Sequence, residues 1–505
     1  MPRNRRGAVT LTAILVLAAL SLTACFSDDA PEPDGKADRA TLGEPMRLRL
    51  LVYNIEYGGG PATDRVIRRV DADVVGVLES YNRLPEIARK TGYPYYNVSL
   101  QLLSKYPIHE PSGAQGLYAL IEVKPGYVIP FFNDHLDYVA WGPRALRNGA
   151  SVESVIETEN EVRASALRRP VAAMTRLLDQ GYPVFLTGDF NEPSSLDYAR
   201  KTVGSRDWVD QPVPWPVSRT LLEIGFRDSY REQHPDPLKE PGITHRSGER
   251  IDYVYAGGPS KTLESEIVGE KGGRDVSLEF SPWTSDHRAV LSTFEVRPAA
   301  MPAMVSVDAR LRTLGDRITV AYNAPDSDGN RIEIVPEGGD PGSPARSLDA
   351  PGARGTTRLD TSGLDPGGYE AVLVDSEGGE LSSVSFWLRD PRAETEISTD
   401  RRTYGQGEPI TVDWSDGPAN RWDWLGVYRA SASDPRSDDY LIWGYTGLHA
   451  SGTVPPRTEG SITLGPDTQG GPWPLPPGRY LVHYLLADQY NSAASARFTV
   501  TRGTG

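Results

Sequence analysis

The sequence predicts an α/β domain followed by two β-sandwich domains, and three observations predict it. From Met46 to Val296 strand-like apolar runs alternate with amphipathic, helix-like stretches, the pattern of a mixed α/β architecture. After "VRPAAMPAM" the helices stop, and short alternating strands separated by Gly, Pro, Asp and Ser continue to Gly505, as in β-sandwiches. Within that second half a related segment occurs twice, as "GLDPGGYEAVLVDSEGGELSSVSFWL" and "PLPPGRYLVHYLLADQYNSAASARFTV". Each copy has a Pro-Gly turn, a tyrosine opening a strand, a second turn and a closing strand, so Tyr369 and Tyr480 hold equivalent places. A chain of 505 residues exceeds one ordinary core and suits roughly three domains. Its 50 glycines and 42 prolines point to many turns and away from long helical bundles.

The elements follow in order. Residues 1–25, "MPRNRRGAVTLTAILVLAALSLTAC", have a basic head at Arg3, Arg5 and Arg6 and an apolar stretch from Ala8 to Leu22. That stretch is too short to span a bilayer comfortably and reads as an export signal. It ends in Leu22-Thr23-Ala24-Cys25, which resembles the bacterial lipobox. The resemblance implies a lipid on Cys25 that anchors the chain on the extracellular face of the cell membrane, with release to the medium as a further destination. Cys25 is the only cysteine, so no internal disulfide can form. Residues 26–45 lack apolar periodicity and are rich in Pro, Asp and Ala, the composition of a disordered tether.

Residues 46–298 make the α/β domain. Its clearest helix is "ENEVRASALRRPVAAMTRLLDQG", where Val162, Ala166, Leu167, Val171, Met174, Leu177 and Leu178 recur at threes and fours, with Gly181 as a stop and Pro170 marking a bend or break. The stretch after His135, "LDYVAWGPRALRNGASVESVIETENEVR", is longer than a minimal connection and reads as a loop with Trp141 and Arg144 as candidate substrate contacts, or as a solvated loop. Residues 303–390 and 393–502 make the two sandwiches. In the first of them "DSDGN", Asp326 to Asn330, suggests a calcium loop but lacks the downstream glutamate of an EF-hand, so a hairpin turn at Asp328-Gly329 is the preferred reading. The formal charge is −15. Residues 41–300 carry roughly −5 and residues 301–505 roughly −10, which argues against simple adhesion to polyanions.

Carboxylate, amide and imidazole groups recur at the ends of apolar runs in the first domain, where an α/β scaffold presents functional side chains. "LVYNIEYGGG" delivers Asn54 and Glu56, "VVGVLES" delivers Glu79, and "FFNDHLDY" delivers His135. "VFLTGDFNEP" delivers Asp189 and Asn191 on one tight turn, "RIDYVY" places Asp252 inside a strand, and "TSDHRAV" sets Asp286 beside His287. An unpaired carboxylate inside a strand costs several kcal/mol. Each residue taken singly has a bland explanation as a turn or core group. The set does not, because independent turn residues do not explain acid, amide and imidazole at so many strand ends.

Taken in order, these six segments resemble the endonuclease/exonuclease/phosphatase superfamily, over about Arg47 to Val296. The resemblance implies a deoxyribonuclease I-like four-layer α/β sandwich of two mixed sheets with helices outside. It implies that Asn54, Glu79 and Asp286 hold a divalent cation, Mg2+ first and Mn2+ or Ca2+ otherwise, since hard cations prefer oxygen ligands. The implied reaction is hydrolysis of a phosphate ester by an activated water. Asp189 would position that water, and Asn191 would bond a phosphate oxygen. His287 would act as general base or phosphate ligand, oriented by Asp252. His135 would donate to the phosphate or to the leaving oxygen. Glu56, two after Asn54, has an open role, and His135 stands where the abasic-site repair branch has Asn or Gln.

In the last domain "DWLGVY", Asp423 to Tyr428, is similar to a strand of SKICH domains, which accompany some inositol polyphosphate phosphatases. Trp422, Trp424 and Tyr428 are then either a ligand-binding face or, the preferred reading, sandwich packing. The function expected is an extracellular, metal-dependent phosphodiesterase or nuclease. The alternative is a phosphatase or lipid phosphodiesterase acting on phosphorylated lipids or inositols. A different class, a non-catalytic surface binding protein, is weighed against by the costly acid cluster. The substrate would be a nucleic acid or a phosphorylated lipid or inositol, and no protein partner is expected.

Overall fold

In the computed structural model residues 39–502 are described, apart from 112, 115, 326–327, 341, 421–422, 433, 447, 450–451, 454–457, 467 and 487–488. Cys25, the export signal, residues 26–38, Asp326 and Trp422 therefore lie outside the described residues. The first domain contributes β1 (Met46–Asn54), β2 (Val74–Leu78), β3 (Tyr95–Asn97), β4 (Leu102–Ser104), β5 (Ile108–His109), β6 (Ala119–Lys124), β7 (Tyr127–His135), β8 (Val184–Asp189), β9 (Arg227–Asp228), β10 (Asp252–Gly257), β11 (Ser260–Glu270), β12 (Val276–Phe280), β13 (Ala289–Val296) and β14 (Ala299–Ala300). One seven-stranded sheet runs β12-β11-β13-β1-β2-β4-β3. The other runs β5-β6-β7-β8-β10-β9, with β14 on β7.

Both sheets are mixed, and their faces explain the four layers. Leu48, Leu50 and Val52 of β1 meet Phe131, Phe185 and Val254 of the second sheet in one buried cluster, while their neighbours Leu51 and Tyr53 pack with Val66, Ile67 and Ile87 on the other face. This is the period-two alternation of a strand buried on both sides. The helices outside are α1 (Pro61–Val70) and α2 (Leu84–Thr91) on the first sheet. On the second, Met174 and Leu177 of a later helix pack over Phe132 and Leu186. Gly76 of β2 faces the gap between the sheets, where a Cβ would collide with Asn133 and Thr187. Those two side chains bond each other at 2.8 Å, so the polar pair fits only opposite a glycine.

The segment after His135 is not a loop. It folds into α3 (Gly142–Arg147), α4 (Val152–Glu159) and a π turn at Asn160–Ala164, which leads to α5 (Arg168–Asp179). The long helical pattern thus breaks at the π turn, Pro170 lies in the first turn of α5, and Gly181 follows with φ +85°. The buried ion pair Arg163 to Glu159, 2.7 Å, closes this insertion onto Gly142, whose amide donates to Glu159 at 3.1 Å. Arg144 is exposed on α3.

The end of the expected tether is also ordered. Gly43 donates to Pro298 O at 2.7 Å, Thr41 O accepts from Ala300, and Leu42 bridges Ala299. Residues 40–43 and 298–300 therefore clamp each other beside β7, so order begins ahead of residue 46 and runs past residue 298.

The second half consists of a three-stranded and a five-stranded sheet over Met304–Val307 to Glu380–Arg389, then a three-stranded and a six-stranded sheet over Glu396–Thr399 to Ser492–Thr501. The two repeated tyrosines do the same work. Tyr369 donates to Asp365 O at 2.9 Å and stacks on Phe386, and Tyr480 donates to Pro476 O and stacks on Phe498. In each case the phenol ties the turn to the strand four residues on. The hairpin expected at Asp328-Gly329 is not formed. The flanking strands, Arg317–Asn323 and Arg331–Pro336, belong to different sheets, so the turn carries the chain across the sandwich. Trp424 and Tyr428 are buried among Tyr440 and Trp443, which removes them as a ligand face. The first sandwich is held to the α/β domain by Arg310–Glu110 at 2.8 Å, Arg354–Glu122 at 2.9 Å and a His109–Ser306 hydrogen bond at 3.0 Å.

Candidate active site

The functional side chains sit at strand ends that the two sheets bring together. β7 and β8 are parallel with His135 beside Asp189, and β10 is antiparallel to β8 with Asp252 opposite Asp189. From the other sheet, parallel β1 and β2 end in Asn54 and, one residue past Leu78, in Glu79. The loop before β13 supplies Asp286 and His287. Five residues here take left-handed backbone conformations without being glycine: Glu56 (φ 52°), Tyr57 (47°), Glu79 (56°), Tyr81 (46°) and Asn191 (49°). Such conformations cost on the order of 1–3 kcal/mol each and cluster where side chains must be aimed.

The eight residues to which the resemblance gives a role lie together. Asn54 Nδ2 donates to Glu79 Oε1 and to Asp189 Oδ2, both at 3.0 Å. Asp189 Oδ1 accepts from the Asn191 amide at 3.0 Å. Its Oδ2 lies 3.5 Å from His135 Nε2 and 3.6 Å from His287 Nε2. His287 Nδ1 meets buried Asp252 at 2.9 Å, and its Nε2 is 3.9 Å from Asp286. Asn191 Nδ2 lies 3.4 Å from His135 Nε2 and donates to Leu136 O at 3.0 Å.

Asn54 Oδ1 accepts the Glu56 N–H at 3.1 Å and its NH2 faces two carboxylates, so it bridges the acids while its oxygen keeps a second lone pair. Glu56 joins the cluster, accepting the Asp286 N–H at 3.0 Å. Ser285 locks this junction, donating to Asn54 O at 2.7 Å and accepting from the His287 amide at 3.0 Å.

Burial disfavours a charged imidazole at His287, but Asp252, Asp189 and Asp286 outweigh it and the proton affinity is pushed up to about 10. His287 is thus an imidazolium at neutral pH in this arrangement, with Nε2–H turned to the crevice. Asp252 is itself raised by burial, with the His287 charge opposing. Glu56, Glu79, Asp189 and Asp252 have no lysine or arginine partner among the described residues. Asp286 has Arg246 at 3.3 Å. This excess of hard oxygen donors suits a divalent cation. The Tyr57 phenol is raised by burial and by the charges of Glu79, Glu56 and Asp286. Ligand atoms come within 4.8 Å of one another in two groups, His245, Asp286 and His287, and the buried Asp189, Asp252 and His287, and in the second His287 and Asp252 are hydrogen-bonded at 2.9 Å.

Sequence reasoning missed His245. It bridges His287 through the backbone, its ring centroid lies 4.6 Å from that of His287, and its Nε2 is 3.5 Å from Asp286 Oδ2. Trp141, a candidate contact, stands edge-on to it at 6.4 Å. The signal was available in "THRSGERIDY", where Thr244 Oγ1 accepts the amides of Ile251 and Asp252 at 3.0 and 3.1 Å and folds the turn back on β10. At the rim Tyr57 is 79 % exposed and stacked on Tyr81, with centroids 6.5 Å apart and planes 7° from parallel.

Two face-to-face mixed sheets with helices outside form a four-layer α/β sandwich, with an acid and imidazole crevice at the strand ends. Residues 51–287 match the model of the Endonuclease/Exonuclease/phosphatase family, whose members hydrolyse phosphoester bonds and generally need a divalent metal. An uncharacterized protein of Caenorhabditis elegans is 26 % identical over 329 residues, covering 56 % of this chain and 99 % of its own length. A solved endonuclease/exonuclease/phosphatase from Beutenbergia cavernae is 17 % identical, with TM-score 0.32, covering 68 % of this chain and all of its own. A family protein from Bacteroides thetaiotaomicron is 16 % identical, with TM-score 0.32, covering 50 % of this chain and 99 % of its own.

Proposed function

We propose that this protein is an exported phosphodiesterase that hydrolyses its substrate with an activated water and a divalent cation, magnesium first. The observation that carries the reading is the continuous chain of contacts Glu79–Asn54–Asp189–His287–Asp252, drawn from both sheets. A cation on Asn54, Glu79 and Asp286 would neutralise phosphate charge. The chain's own groups do the rest. Asp189, fixed by Asn54 and the Asn191 amide, orients the water and takes its proton. His287, already charged, donates from Nε2 to a phosphate oxygen and stabilises the added charge in the transition state. Asp252 holds its Nδ1 and so the ring. His135 stands on the other side of Asp189, placed to protonate the leaving oxygen. The Tyr57–Tyr81 pair beside the acids, with Tyr57 exposed and Tyr81 half-buried, offers a flat face for a planar leaving group such as a nucleobase.

The test is an assay of the protein with magnesium against DNA, RNA, sphingomyelin and inositol phosphates, alongside calorimetric titration of the metal. Cleavage of a diester is expected, with metal binding weakened about tenfold or more in Glu79→Ala. No cleavage of any phosphoester, with metal binding untouched by Glu79→Ala, would instead support a binding scaffold. The proposed anchor is tested separately: full-length protein should partition with membranes, and Cys25→Ser should release it to the soluble fraction. Equal partitioning of both would remove the anchor.

A further inference from the structure

The last sandwich carries a second, separate concentration of charge. Arg402, Arg429, Arg479 and Arg497 line one open groove of about 550 Å3. They come from four neighbouring segments. Arg497 lies on Ser492–Thr501 and Arg479 on Gly478–Leu485, where Arg479 pairs with Thr499 and Leu481 with Arg497. Arg429 ends Trp424–Arg429 opposite Tyr480. Arg402 precedes Thr403–Gly405, and its carbonyl accepts the Thr499 amide at 3.0 Å. All four side chains are exposed, and none forms an ion pair with a described carboxylate. The adjacent Arg401, by contrast, is paired with Asp400 at 3.4 Å and Glu408 at 3.0 Å. Four unneutralised guanidiniums repel one another, and they stand together in the half of the chain that carries roughly −10. Such a local excess of positive charge attracts an anion.

We infer that this groove is a binding site for a compact anion carrying several phosphate groups. Guanidinium forks match phosphate oxygens two by two, and the hydroxyls of Thr403 and Ser431 on the same rim add donors. Neighbouring strands are about 4.8 Å apart, so four of them span about 15 Å, the size of a small polyphosphorylated molecule. Screening over a Debye length of about 8–10 Å confines the attraction to a ligand of about that size. The same chemistry is offered by a free phosphorylated polyol or by the headgroup of a phosphorylated lipid.

The full chain, kept in chelator so that the cation site is empty, is titrated calorimetrically with inositol hexakisphosphate. Parallel arms use inorganic phosphate, phosphatidylcholine vesicles with and without phosphatidylinositol bisphosphate, and duplex DNA. Binding of the hexakisphosphate is expected, weaker at high salt and at least about tenfold weaker in Arg479→Gln/Arg497→Gln. The independent pair Arg402→Gln/Arg429→Gln should lose a similar factor, and both pairs should melt like the parent because the replaced groups are exposed. Arginine-dependent binding to the bisphosphate vesicles would identify the lipid headgroup as the source, and binding of the free anion alone a soluble ligand. Affinity unchanged in both double variants, no binding at millimolar ligand, or tighter arginine-dependent binding of duplex DNA would overturn the inference.

Discussion

Asp189→Asn should lower turnover of the diester by about a thousandfold, within the 10²–10⁴ that a positioned acid–base group supplies, while the protein melts no lower than the parent. Asp189 is the node of the site, since one oxygen takes Asn54 Nδ2 and lies near both histidines while the other takes the Asn191 amide. An asparagine keeps the shape but cannot take a proton from water, and its NH2 would oppose a neighbouring donor. Stability should move the other way. Asp189 adds to the burial penalty that raises Asp252, so removing its charge relieves repulsion between buried carboxylates, the usual exchange of stability for activity at a catalytic centre. Turnover within threefold of the parent, or a melting temperature several degrees lower, would show that Asp189 is a structural acid instead. His287→Ala should match it in turnover, since the two act on one transition state and their losses should not add.

What could be read in advance follows from where each signal is written. The strand-end acids and histidines announced themselves because each closes an apolar run, and an α/β scaffold has few other uses for such groups at that place. The tyrosines at 369 and 480 were legible because a repeat shows a position twice. Partnership was not legible. Nothing near Asn54 says that its NH2 would face Glu79 and Asp189, 25 and 135 residues away. His245 lies in a polar run that reads as a turn, and it becomes part of the site only because Thr244 folds that run onto Asp252. Helices α3 and α4 are short, six and eight residues, and closed by a buried ion pair, so local periodicity could not separate them from a loop. Asp328-Gly329 carried turn chemistry correctly, but turn residues do not tell whether the next strand stays in the same sheet.

Arg250 shows what distance in sequence conceals, and it carries the largest stability effect expected in the chain. "RIDY" identifies the strand, yet the reason for its arginine lies 22 and 53 residues away. Arg250 is 3 % exposed, with Nη2 on Asp228 at 2.7 Å and Nε on Asp197 at 2.9 Å. Asp197 also accepts from Arg231, and the guanidinium of Arg250 lies 4.6 Å from the Tyr253 ring centre. Asp228 caps the helix at Ser229–Gln233 through the amides of Tyr230 and Arg231. Arg250→Ala removes one cation from between two buried carboxylates, and an unpaired buried charge costs ~3–5 kcal/mol. The midpoint of urea unfolding should fall accordingly. Arg250→Met, which restores the packing but not the charge, should recover only a minor part. Asp228→Asn/Arg250→Met, which empties the pair from both sides, should be less destabilised than Arg250→Met alone. If Arg250→Ala costs under ~1 kcal/mol, water reaches the carboxylates and the network is not a closed one. Because Asp252 follows two residues on, the same variant should also loosen the ring of His287, so that residual activity at low temperature falls more steeply with warming than in the parent.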